Sequence, residues 1–166
     1  GTWNRSTWLF PNPEHCTLDL LYDRYLLYGD QRALENMRVA AGHGAFYALQ
    51  AAPQIHRATG WSWRTLERYW ELTGDKRAGE LLQRIVAAYA PLAGQSDLWF
   101  KSSGYQREWF TQVFSRAAAM TALHGRDPQA IAICRSLAAD KADKADHFCS
   151  LFAVLYHLTG EASYKD

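Results

Sequence analysis

The chain is 166 residues long, carries 18 Lys and Arg against 17 Asp and Glu, and is 14% aromatic with seven Trp and nine Tyr. That length fits one domain, read here as residues 1–166. The balanced charge argues against a nucleic-acid or membrane-surface partner, since both need a clustered positive field, and no apolar run approaches the roughly 20 residues of a membrane-spanning helix.

In chain order, the apolar residues recur with helical period. Leu18, Leu21, Tyr22 and Tyr25 share one face, and Leu34, Met37, Ala41 and Ala45 form the next stripe. Trp63, Leu66, Trp70 and Thr73 follow, then Ala78, Leu81, Leu82, Ile85 and Tyr89. A fifth stripe runs through Phe110, Val113, Phe114, Ala117 and Met120, a sixth through Ile131, Cys134 and Leu137, and a seventh through Phe148, Leu151, Phe152 and Leu155. No stretch alternates at period two for long enough to make a strand. The fold class is therefore all-α, with seven helices.

Connections of two kinds join them. Tight turns are predicted at Gly29-Asp30, Gly74-Asp75, Gly125-Arg126-Asp127-Pro128 and Gly160-Glu161. Glycine suits the left-handed residue that ends a helix, and the following Asp can accept the first free amides of the next one. Asp127-Pro128 reads as a cap followed by Pro at the first helical position. Longer segments, 1–13, 53–61, 94–108 and 140–146, alternate with these turns. In a row of antiparallel hairpins that alternation puts all tight turns on one face and all long loops on the other. The long loops hold Trp3, Trp8, His15, His56, Arg57, Trp61, Trp99, Tyr105, Arg107 and Trp109, and long aromatic loops are where function concentrates. The glycines recur too unevenly for a tetratricopeptide solenoid.

Cys16, Cys134 and Cys149 match no zinc or CxxC spacing and read as buried thiols. His pairs at helical spacing beside a carboxylate are missing, so the sequence names neither a metal site nor a cofactor. His43, between Gly42 and Gly44, reads as a packed structural histidine. The opening Gly-Thr-Trp-Asn-Arg is neither a start nor a signal peptide, and it leaves secreted, periplasmic and cytoplasmic locations open.

The segments Tyr25–Leu34 and Arg57–Trp61 through Tyr69–Ala78, with an aromatic helix ending in Leu-Thr-Gly-Asp and Arg-Ala after it, resemble the helical hairpins of α/α-toroid polysaccharide lyases and glycoside hydrolases. The nearest likeness is to the helical domains of exo-acting rhamnogalacturonan lyases. The resemblance implies a partial toroid, an incomplete (α/α)6 barrel, and hence a fragment of a larger ring that needs the remainder of the toroid for activity. It also implies that the first helix of each hairpin is an inner one, whose N-terminus lines a cleft suited to uronate carboxylates.

Three segments then supply candidates. Asn12-Pro13-Glu14-His15 opens the first helix: it reads as a capped start, or as an acid and a base at the cleft rim. Ile55-His56-Arg57-Ala58-Thr59-Gly60-Trp61 combines a base (His56), a cation for a carboxylate (Arg57) and a ring for a sugar face (Trp61), although Arg57 in a salt bridge and Trp61 in the core would serve structure alone. In Tyr105-Gln106-Arg107-Glu108-Trp109, Tyr105 is a candidate proton donor, Arg107 a carboxylate clamp and Glu108 an acid, against a plain capped helix start. Trp99 and Trp109 complete the binding candidates. The expected function is a lyase, or a hydrolase with Glu14 and Glu108 as its carboxylate pair, acting on an oligo- or polysaccharide that contains uronate. The alternative is a non-catalytic helical-repeat module that binds a protein.

Overall fold

A computed structural model describes residues 19–55, 57–93, 107–140 and 148–165, with side chains of the two later helices described over 111–139. The described residues form seven α-helices and no strand: α1 (Asp19–Tyr28), α2 (Gln31–Ala51), α3 (Arg57–Thr73), α4 (Lys76–Tyr89), α5 (Arg107–Gly125), α6 (Pro128–Asp140) and α7 (Cys149–Thr159). Short 3-10 turns follow at Ala90–Leu92 and Ala162–Tyr164.

Turn chemistry explains the helix ends. Gly29, Gly74 and Gly160 all take positive φ, 64°, 62° and 70°, and each amide donates to the carbonyl four residues back at 2.8 Å. The two Leu-Thr-Gly turns are built alike. Thr73 Oγ1 donates to the Tyr69 carbonyl and accepts from the Asp75 amide; Thr159 Oγ1 does the same with Leu155 and Glu161. Asp30 and Asp75 then cap α2 and α4 through the amides of Arg32, Ala33 and Ala78. The fourth turn departs from expectation. Gly125 is still helical, and Arg126 holds the left-handed conformation at φ 49°. Asp127, which accepts from the Gln129 amide at 2.7 Å, and Pro128 make the cap and first residue as expected.

Packing sorts the helices into two layers. The odd helices α3, α5 and α7 touch in succession, and so do the even helices α2, α4 and α6. α1 joins the odd set through Asp19–Arg64 and through Tyr22 beneath Arg68. Those pairs run in the same chain direction, as do Gly60–Phe114, Trp63–Thr121 and Glu67–His124 between α3 and α5. So α1, α3 and α5 are parallel, and the turns at Gly29, Gly74 and Gly125 share one end of the molecule. The starts of α3 and α5, at Arg57 and Arg107, share the other.

The core is aromatic at its centre. Trp63 is fully buried, stacks on Tyr89 with centroids 5.8 Å apart, meets Phe114 edge-on at 5.2 Å, and donates its indole N–H to Thr121 at 2.9 Å. Met37, Leu66, Leu82, Ile85, Ile133, Leu137, Leu151 and Leu155 surround it. Small residues let the layers close up. A Cβ on Gly44 would stand 2.8 Å from the Ser62 carbonyl oxygen, and one on Gly60 2.7 Å from the Phe114 amide nitrogen.

α1 buries no residue fully: Leu21, Tyr22 and Tyr25 of its stripe are partly covered, while Leu20, Leu26, Leu27 and Tyr28 are exposed. One expectation is corrected here. Cys134 is buried but Cys149 is exposed, because it stands one residue beyond Phe148, about 100° around α7 from the face that Phe148, Leu151 and Leu155 bury. Cys16 lies outside the described residues.

Candidate functional site

α3 packs against α2, α4 and α5 and pairs with α1, yet it is rich in polar residues. Thr59, Ser62, Arg64, Thr65 and Glu67 are all buried on it. Arg57, Gly60, Trp61, Arg64, Glu67, Arg68 and Glu71 recur at successive steps of three and one, so that residues three and four apart gather on one flank of the helix. α1 borders that flank on one side and α5 on the other.

Its upper half, near the start of α3, is cationic and aromatic. Arg64 donates to Asp19 at 2.7 Å and its guanidinium lies 5.5 Å from the centroid of the partly exposed Trp61 ring. Burial draws the Arg64 pKa below its ordinary value; Asp19 opposes that, while nearby Arg116 and Arg68 reinforce it. Asp19 thus answers the buried Arg64 guanidinium directly, while Arg68 is held by Glu71. A guanidinium suits an anionic ligand, and the partly exposed Trp61 ring beside it offers apolar surface for stacking.

The lower half, toward the tight-turn end, holds a carboxylate–imidazole cluster. Glu67 is fully buried, and its Oε1 lies 2.6 Å from His124 Nδ1 of α5. The other ring nitrogen, Nε2, stands 3.8 Å from Glu71 Oε1. Arg68 donates to Glu71 Oε2 at 2.8 Å and its guanidinium lies 4.4 Å from the Tyr22 ring centroid. The hydrogen bond to Glu67 raises the His124 pKa against the lowering effect of burial. Burial first, then the charge of Glu71 and a hydrogen bond to it, raises that of Tyr22. Glu67, Glu71 and His124 each bring one ligand-type atom within 4.8 Å of the others.

Of the residues proposed from sequence, Arg57 is the first of α3 and partly buried, and Trp61 lies one turn on. The structure brings Trp61 together with Arg64, a residue the sequence reading passed over. Arg107, Glu108 and Trp109 open α5, and their side chains lie outside the described set. Glu14, His15, His56, Trp99 and Tyr105 lie outside the described residues. His43 is half-buried within α2. Ligand spacing within a single helix does not reveal Glu67, Glu71 and His124, which meet across two helices. A signal was present: Arg64, Glu67, Arg68 and Glu71 alternate in sign at helical spacing, but that pattern ordinarily marks a solvated face.

No protein-family profile, curated protein or solved structure matches the chain. No helix among the described residues is long and apolar enough to cross a membrane.

Proposed function

We propose that the chain is one arc of an α/α toroid from a carbohydrate-active enzyme, a polysaccharide lyase in preference to a glycoside hydrolase, acting on a uronate-containing glycan. The observation that carries this reading is the half-exposed Trp61 ring beside Arg64, on the flank of α3 that faces α1, with Arg57 one turn earlier. A pyranose ring stacks on an aromatic face, and a guanidinium fork matches a carboxylate bidentately. The parallel run of α1, α3 and α5 supports the toroid, in which inner helices share one direction. The lyase preference rests on His, Arg and Tyr outnumbering Asp and Glu among the candidates, because uronate elimination needs a neutralised carboxylate and a base.

The test is affinity for acidic and for neutral oligosaccharides of equal length. Arg57→Lys should weaken the acidic ligand by about 1–3 kcal/mol, the worth of a charge-assisted hydrogen bond, and leave the neutral one unchanged. Trp61→Ala should weaken both. Equal loss of both ligands in Arg57→Lys would end the carboxylate reading.

A second reading, a protein-binding helical module, has one observation in its favour. A groove of ≈ 670 Å³ between α2 and α4 is floored by Ala41, Ala45 and Leu81, and edged by Arg38, Arg77, Arg84 and a 60% exposed Phe46. Phe46→Ala separates the two: it leaves glycan affinity intact and abolishes partner capture only if the groove is the working surface.

A further inference from the structure

We propose that Glu67, Glu71 and His124 form a binding site for a divalent transition ion of the Zn²⁺ type, tying α3 to α5 near the tight-turn end. One imidazole and two carboxylates are a donor set that suits zinc and its first-row neighbours. One ligand-type atom from each residue lies within 4.8 Å of the other two.

The second observation is independent of that proximity. Glu67 is fully buried, and its Oε2 has no hydrogen-bond partner. His124 answers only Oε1, and a buried carboxylate whose second oxygen stays unanswered is costly. A cation bound by the same carboxylate removes that cost.

The surroundings are those of a supported site. Arg68 holds Glu71 Oε2 at 2.8 Å, which leaves Oε1 turned toward His124. Tyr22 lies beneath Arg68, its ring centroid 4.4 Å from the guanidinium. Ligating carboxylates are ordinarily fixed in this way by outer partners. For bonds of about 2.0–2.2 Å to one ion the ligand atoms settle about 3–3.5 Å apart, so Glu71 must approach and the 2.6 Å hydrogen bond between His124 and Glu67 must open as the ion replaces its proton. Glu71 and His124 can make that move, since both side chains are 25% exposed while Glu67 is fixed. Their exposure also leaves a coordination position open to water.

The test uses the folded chain after dialysis against a chelator. Zn²⁺ is titrated by calorimetry, and Co²⁺ is added separately to read ligand-field bands in the visible spectrum. One equivalent should bind, with Co²⁺ bands of a low-symmetry nitrogen–oxygen site. Glu71→Gln and His124→Ala should each weaken Zn²⁺ by more than the roughly 10- to 100-fold that loss of an outer partner causes. His157→Ala, at an exposed histidine on α7, should change nothing. Circular dichroism establishes that each variant is folded; should His124→Ala not fold, His124→Gln replaces it, and Glu71→Gln at its more exposed position decides alone if neither does. Failure of the folded wild type to bind either ion overturns the proposal. So does unchanged affinity in the folded Glu71 or His124 variants, which would put the ion elsewhere.

Discussion

Gly60→Ala is the sharpest probe of how α3 and α5 fit together. The added Cβ would stand 2.7 Å from the Phe114 nitrogen and 3.0 Å from both Phe114 Cα and the Val113 carbonyl carbon. Comfortable carbon contacts lie at about 3.5–4.0 Å, so the helices must part by roughly half an ångström or more. The obstructing atoms are all backbone, and no side-chain rotation relieves them. Overpacking costs about 1–3 kcal/mol, and a rigid obstacle puts this site near the top of that range. Alanine gains back about 1 kcal/mol in helix propensity. The expected net is a loss of about 2 kcal/mol, or a Tm lower by about 4–8 °C at this chain length. Gly42→Ala is the matched control: it lies mid-helix in α2, exposed, with no heavy atom within 4 Å of its Cβ position. It should stabilise by about 0.5–1 kcal/mol. Urea and thermal unfolding of both variants give the comparison. If the two shift stability in the same direction, the close-packing account of α3 against α5 is wrong.

Three further outcomes are expected. Breaking the Glu67–His124 pair in metal-free protein with His124→Leu should cost several kcal/mol, toward the lower end of about 3–5 because His124 is partly exposed, whereas Glu67→Met with His124→Leu should recover most of the loss; a double variant no better than the single shows by urea unfolding that the pair is not the cause. Asp75→Ala removes the cap on the Ala78 amide and should lower unfolding free energy by about 1 kcal/mol without changing the urea slope. In a Cys16→Ser background, a thiol reagent at pH 8 should label Cys149 quickly and Cys134 only at the rate of unfolding, since burial pushes the Cys134 thiol up to about 12; fast labelling of both would contradict the packing of α6.

What could be read from sequence was what local chemistry decides. The Leu-Thr-Gly-Asp and Leu-Thr-Gly-Glu turns carry their own instructions: a threonine hydroxyl closing the last turn, a glycine at positive φ, and in the first of them an aspartate on the next amides. Even the one departure is local. At Gly125-Arg126 the left-handed residue moved one place because Asp127-Pro128 fixes where α6 starts, and the intervening residue must turn. Burial was less legible. The stripe assigned to α1 has the right period, but only α2 and the flank of α3 cover it. Trp61 and Trp63 are two residues apart and about 200° around the helix, so one stays at a polar seam while the other anchors the core.

The apolar side of α3, Trp63 and Leu66, was legible, but its buried polar residues were not, and the reason is physical. A helix covered on several sides is expected to be apolar all round, yet α3 buries Arg64 and Glu67. Sequence pattern places those residues on a solvated face, because their partners stand far away in the chain: Asp19 is 45 residues from Arg64 and His124 is 57 from Glu67. Only the parallel placement of α1 and α5 on either side of α3 turns an exposed charge run into an enclosed polar seam. Such a seam is poor material for stability alone, since buried ion pairs seldom outperform apolar residues of the same size. Sequences that break their own burial rule do so most often where a ligand must be met. That argument favours the α3 flank for the candidate site, running from Arg57 and Trp61 near the start of the helix to Glu67, Glu71 and His124 near its end.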